Sequence, residues 1–250
     1  IEDTDSIFDN IENQFNIKIK SKKRKEIISL SKDLPPGYID SLQILKKGLV
    51  SVNGEKTNIG LSNFAVNVLS CGSGYVFGAY GQDICIEFLQ KQQNKFKNNE
   101  RAELGKKQID FIFKNFAGRP AFDCGGLIKA YSWFDEETGR IILNRENGIK
   151  DCTADGLYNK AEVKGEISNI PDIPGLAVHK NGHVGIYIGG GEVIEAKGNK
   201  FGVVKTELIG RGWEHFFKVP EIKYINSGTF KIGNKAVTLY SGKIVNKNEF

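Results

Sequence analysis

The chain of 250 residues contains no methionine, only three histidines and two tryptophans, and no apolar run near the length of a membrane-spanning helix, about eighteen residues. No membrane span is therefore expected. His-Glu-x-x-His and paired Cys-x-x-Cys spacings are both absent, so the common zinc-binding patterns are missing and no metal or cofactor is expected. There is no signal-peptide pattern. The sequence starts at Ile1, and the expectation is a processed or excised chain that has lost a signal or an upstream domain. Lys and Arg exceed Asp and Glu by 35 to 30, a net charge of +5. That is modest, and no nucleic-acid motif accompanies it, so no nucleic-acid partner is expected. It favours an anionic wall over a neutral surface only weakly, because physiological salt screens it. Apolar residues at 40% and charged residues at 26% are ordinary for a globular protein. The length allows one large domain, or a medium one with appendages.

Four cysteines are present: Cys71, Cys85, Cys124 and Cys152. Their number does not indicate a compartment, since a cysteine nucleophile cannot be paired. One of them has a distinctive setting, Phe122-Asp123-Cys124-Gly125-Gly126-Leu127-Ile128-Lys129-Ala130. Leu127, Ile128 and Tyr131 fall on one helical face. Cys124 is thus expected at a helix start, where unpaired N–H groups and the positive dipole end favour a thiolate. Free cysteines are more often buried and inert. Cys71 precedes a Gly-Ser-Gly turn, Cys85 lies in an apolar run, and Cys152 sits in a polar stretch, so Cys124 ranks first as a nucleophile.

A nucleophilic cysteine needs a base, and the candidates are His179, His183 and His215. His183 opens His183-Val184-Gly185-Ile186-Tyr187-Ile188, which runs into Gly189-Gly190-Gly191 and then Glu192-Val193-Ile194-Glu195-Ala196. Two β-rich runs about a glycine turn read as a hairpin. Glu195 follows His183 by twelve positions and comes near it across such a hairpin. A carboxylate there fixes the imidazole tautomer and stabilises the imidazolium. The bland alternative is a surface His–Glu pair on a solvated hairpin. His179 reads as a loop edge and His215 as a packed aromatic corner, so His183 ranks first.

In this order, Asp-Cys-x-Gly-Leu-Ile, His-Val-Gly-Ile-Tyr-Ile-Gly and a polar residue twelve positions after the histidine resemble the NlpC/P60 superfamily of cell-wall cysteine peptidases. The nearer likeness is to endolysin-like members of clostridial phages and related Gram-positive elements. Supporting stretches are 74–82, Thr153-Ala154-Asp155-Gly156-Leu157, 170–175, 193–198, Gly202-Val203-Val204 and 213–220, and the likeness spans roughly 58–224. It implies an α+β, papain-like fold, with helices packed on a small antiparallel sheet. It also implies a peptidoglycan endopeptidase that is secreted, wall-bound or virion-associated. By resemblance, Tyr75 and Asp123 belong to the substrate cleft. Gly125 stands where the superfamily usually has serine, which bears on substrate preference. Glu195 stands where His, Asn or Gln is usual. Other readings are an amidase of the related CHAP type cutting between sugar and peptide, a non-catalytic wall- or partner-binding module, and a papain-like enzyme acting by acyl transfer or as a toxin on protein substrates.

Three parts are expected along the chain. Residues 1–56 form a charged arm or small helical segment. Five acids between 2 and 12 are followed by six bases between 18 and 25, then Leu34-Pro35-Pro36-Gly37 and a short helix over 40–49. The arm is a solvated tail, a cover for the cleft, or a tether to a phage tail, injection particle or secretion partner. Residues 57–224 form the catalytic domain. It starts with a helix carrying Leu61, Phe64, Ala65, Val68 and Leu69 on one face, capped by Thr57 or Asn58. Two helices near 83–97 and 101–116 make an insertion before Cys124, a helix is expected over 151–164, and strands are expected at 176–179, 183–188, 192–196, 202–207 and 215–219. Residues 225–250 read as a short β appendage or the start of a further domain.

Overall fold

The computed structural model describes residues 51–52, 55–99, 104–136 and 138–225, together with the strand backbones at 228–232, 235–240 and 243–246. Residues 1–50 of the expected arm, with the helix over 40–49, lie outside the described residues, and the end of the arm is a short hairpin instead. After a short hairpin, β1 (Ser51–Val52) and β2 (Glu55–Lys56), helix α1 spans Asn58–Ser70. Thr57 caps it: its hydroxyl accepts from Gly60 N at 3.1 Å. The apolar stripe predicted for α1 is the buried one, with Leu61, Phe64, Ala65 and Val68 fully inaccessible.

The chain then forms β3 (Gly74–Tyr75), β4 (Tyr80–Asp83), α2 (Ile86–Lys95), α3 (Lys106–Phe116), β5 (Pro120–Phe122) and α4 (Cys124–Trp133). Strand β5 is central in a three-stranded sheet, parallel to β3 and antiparallel to β4. It leads straight into α4, so the sheet fixes where that helix begins. The expected helical insertion is present as α2 and α3. Leu89, Leu104 and Ile112 from it pack with Val76, Ala79, Ile84 and Ala121, bracing the loop after Tyr75.

Helix α5 (Ala154–Lys160) is followed by β6 (Lys164–Glu166), a 3-10 turn at Ile167–Asn169, and β7 (Ala177–Lys180), β8 (His183–Gly189), β9 (Glu192–Gly198), β10 (Gly202–Glu207) and β11 (His215–Phe217). These strands make one antiparallel sheet in the order β10-β9-β8-β7-β11-β6. The helix expected over 151–164 is thus shorter, and its last residue joins a strand. Glu166, Gly165 and Lys164 pair with His215, Phe216 and Phe217, and sheet pairing overrides the helical pattern. The turn between β8 and β9 holds Gly189, Gly190 and Gly191 at φ 93°, 62° and 81°, where side-chain-bearing residues are strained. The strand backbones β12 (Gly228–Ile232), β13 (Lys235–Tyr240) and β14 (Lys243–Asn246) form an antiparallel meander, where β structure was expected.

The fold is mixed α+β. Helices α1 and α4 pack on the six-stranded sheet through Val184, Ile186, Ile194, Ala196 and Phe217. Phe64 is central: its ring centroid lies 5.8 Å from Tyr131 and 5.7 Å from Phe134. A separate cluster of Leu176, Val178, Tyr187, Val193 and Trp213 packs around other sheet residues. Strand β8 alternates between the clusters, Val184 and Ile186 joining the first and Tyr187 the second.

Candidate active site

Cys124 is the first residue of α4, and Asp123 is its N-cap with extended backbone. One carboxylate oxygen of Asp123 accepts from Gly126 N, and the other accepts from Gly78 N at 2.7 Å. The backbone N–H of Asp123 donates to Ala79 O at 2.9 Å. Asp123 therefore caps the helix and also fastens the 76–80 loop to it. Burial raises the carboxyl of Asp123 above its usual range, although Gly126 N–H, the Lys129 charge and Gly78 N–H pull the other way.

The helix start does not settle the state of the sulfur. Burial, seconded by the charge of Asp123, pushes the Cys124 thiol up to about 12, against the N–H groups of Val184, Gly125 and Cys124 itself. Desolvation thus works against the thiolate preference expected of a helix N-terminus. Tyr75 lies close enough that Cys124 and Asp123, after burial, raise its phenol.

The Val184 N–H is directed at the Cys124 sulfur, so the thiol lies against the start of β8. His183 is the residue before. Its Nε2 is 2.8 Å from Glu195 Oε2, as the hairpin spacing predicts. Its ring stacks on Trp213 at 5.4 Å with 9° between planes. Glu195 is fully buried. It accepts from Thr206 Oγ1 at 2.8 Å, from Arg211 Nε at 2.6 Å and from Arg211 Nη2 at 2.6 Å. Burial alone would raise this carboxyl, but the donors from His183, Arg211 and Thr206 hold it down to about 2. An ionised carboxylate only accepts, so a neutral His183 carries its proton on Nε2 and keeps the Nδ1 lone pair free for another proton.

A cleft of about 620 Å³ opens over the start of α4. Cys124, Gly125, Gly126 and Lys129 line it from below, the 77–80 loop and Phe96 from one side, and the 151–155 segment with Gly182 from another. The insertion reaches the cleft through Phe96, which meets Phe77 edge-on at 5.0 Å. Of the six residues expected at the site, Asp123, Cys124 and Gly125 line this cleft, whereas Tyr75, His183 and Glu195 do not. Tyr75 is close to the sulfur in charge terms, and His183 adjoins it through Val184. A Cβ built on Gly125 would meet Ala154 N at 3.7 Å and Lys129 Cε at 3.8 Å, ordinary contacts that leave room for a methyl group.

Cys71, Cys85 and Cys152 are not disulfide-bonded either. Cys85 also stands at a helix start, accepting from Phe88 N at 3.4 Å, but it lines no part of this cleft. His179 is not at a loop edge. It is buried in β7, with Nε2 2.8 Å from Asp155 Oδ1 and its ring stacked on Tyr158 at 4.3 Å. His215 does pack in an aromatic corner, tilted on Tyr158 at 5.0 Å. Arg211, Thr206 and Trp213 were not expected at the site. The one available signal was Glu195 itself, an acid inside an apolar strand, which demands a buried donor set. Among the described residues no cluster of His, Cys, Asp and Glu is arranged to hold a metal ion.

No protein-family model matches the chain, and no curated protein matches it in sequence. Among solved structures, the peptidoglycan hydrolase RipB from Mycobacterium tuberculosis aligns over 88% of this chain and 82% of its own, at 13% identity and a TM-score of 0.34.

Proposed function

We propose that the protein is a peptidoglycan hydrolase that cleaves an amide bond of the wall stem peptide, with Cys124 as nucleophile and His183 as base. One observation supports this most: a cysteine at a helix start in an open cleft abuts the strand whose first residue is an imidazole oriented by a buried, ionised carboxylate. That constellation suits nucleophilic acyl transfer. The peptidoglycan substrate comes from the sequence resemblance. So does the setting: secreted, wall-bound, or carried on a particle such as a phage tail.

In this reading the Cys124 thiol gives its proton to His183 Nδ1 as the sulfur attacks the scissile carbonyl. Backbone N–H groups at the start of α4 stabilise the oxyanion. The imidazolium protonates the leaving amine, and the C–N bond breaks to give a thioacyl-enzyme. Water, deprotonated by His183, then attacks the thioester and restores the thiol. Asp123 supports the cleft by capping α4 and holding the 76–80 loop, and Gly125, which lines the cleft, bears on substrate preference.

The test is turbidity loss of purified cell walls, with mass spectrometry of the released fragments. Native protein should release fragments with new peptide ends, and Cys124→Ala should release none. Free lactyl groups on the sugar would instead indicate an amidase. Equal lysis by Cys124→Ala, or no fragments from native protein, sinks the proposal.

A further inference from the structure

Arg211 makes two of the four hydrogen bonds that Glu195 accepts, one to each oxygen. Such a fork fixes a carboxylate in plane and matches its charge within the same contact. The arginine is itself held. Its carbonyl accepts from Lys180 Nζ at 2.7 Å, and its guanidinium lies 5.9 Å from the Trp213 ring that stacks on His183. Gly210 and Gly212 flank it at φ 80° and 66°, backbone that turns the segment back onto the sheet.

A lone carboxylate beside an imidazole stabilises the imidazolium and makes the ring reluctant to release a proton. A carboxylate already matched by a guanidinium still accepts the Nε2–H bond, but its net field at the ring is small. We propose that Arg211 is a positioning residue whose fork cancels the charge of Glu195, so that Glu195 fixes the ring and tautomer of His183 without trapping it in the protonated form. The inference rests on the reading of His183 as the base for Cys124. Other charged or titratable groups near the pair are Cys124 and Asp123 at the start of α4, Tyr75 from β3, Lys180 from β7, Lys197 from β9 and Glu214 before β11. Arg211 is the cation in contact with Glu195.

The test is an NMR titration of the His183 ring, assigned by its loss in His183→Gln, alongside the pH dependence of wall lysis. Arg211→Met leaves Glu195 uncancelled and should raise the His183 titration by about one to two pH units. Glu195→Gln leaves Arg211 uncancelled and should lower it. The double variant removes both charges and should return near the native value. Arg211→Lys keeps the charge without the fork, so its titration should stay near native while kcat falls. The acid limb of lysis should move with the titration.

A purely structural role predicts lost activity with no movement of the titration. An unmoved titration, or single variants shifting the same way, overturns the proposal. If Arg211→Met does not fold, the double variant titrating near native with Glu195→Gln below it still supports the proposal, and any other order refutes it. Absence of wall lysis by native protein would defeat the hydrolase reading but leave the titration able to decide the role of Arg211.

Discussion

Gly125 and Gly126 are neighbours in one helix turn, yet alanine should have opposite effects at the two positions. A Cβ on Gly126 would lie 2.0 Å from Ala79 O and 3.1 Å from the Ala79 carbonyl carbon. Carbon and carbonyl oxygen normally meet no closer than about 3.3 Å, so the 76–80 loop or the helix must yield by about 1 Å. The obstacle is backbone and no side-chain rotamer can relieve it. Displacing the loop breaks the 2.9 Å bond from Asp123 N to Ala79 O and loosens the 2.7 Å bond from Gly78 N to Asp123. Leaving such buried groups unpaired costs about 1–3 kcal/mol each, and alanine regains about 1 kcal/mol of helix propensity. Gly126→Ala should therefore lose about 2–4 kcal/mol. At Gly125 the nearest atom to a Cβ is 3.7 Å away, and alanine should be neutral or stabilise by about 0.5 kcal/mol. Urea unfolding followed by tryptophan fluorescence measures both. The midpoint of Gly126→Ala should fall on the order of 1 M. A native midpoint for Gly126→Ala, or an equal fall for Gly125→Ala, would refute the close packing of α4 on the loop.

The carboxyl of Glu195 is held down to about 2 in the folded protein, below its ordinary value of 4.5. A depressed carboxylate contributes stability that is present above pH 4.5 and lost as pH falls through 2. The contribution is at most about 3 kcal/mol. The stability gap between native protein and Glu195→Gln should therefore be widest above pH 4.5 and narrow toward pH 2. A constant gap across that range in urea titrations would count against it. With burial raising the Cys124 thiol to about 12, its alkylation by a small neutral reagent should be slow at pH 7 and keep rising beyond pH 9, as followed by mass spectrometry. A rate already at its plateau at pH 7 would indicate a thiolate–imidazolium pair at rest.

Much of the site's frame was legible because its signals are local. The stripe Leu61, Phe64, Ala65, Val68 repeats with the helical period and is the buried face of α1. The glycine turn after Ile188 sets the register of β8 on β9, and that register brings His183 and Glu195 within a hydrogen bond. Where the reading failed, a distant partner had overridden a local pattern. The helix expected to reach Lys164 stops at Lys160, because 164–166 pair with β11 some fifty positions on. His179 looked like a loop edge because Asp155 and Tyr158, which bury it, are brought to it by the packing of α5.

By itself, the sequence determined the order of the helices and of strands β7 to β11, the placing of Cys124 at a helix start and the His183–Glu195 pairing. Periodicity, capping and turn chemistry act over a few residues. Only the tertiary structure decided that Arg211 and Thr206 close on Glu195, that a side chain at Gly126 meets the Ala79 backbone while one at Gly125 does not, and that burial raises the Cys124 thiol. Those outcomes depend on desolvation and on distances between groups from separate elements, quantities that exist only once the chain has packed.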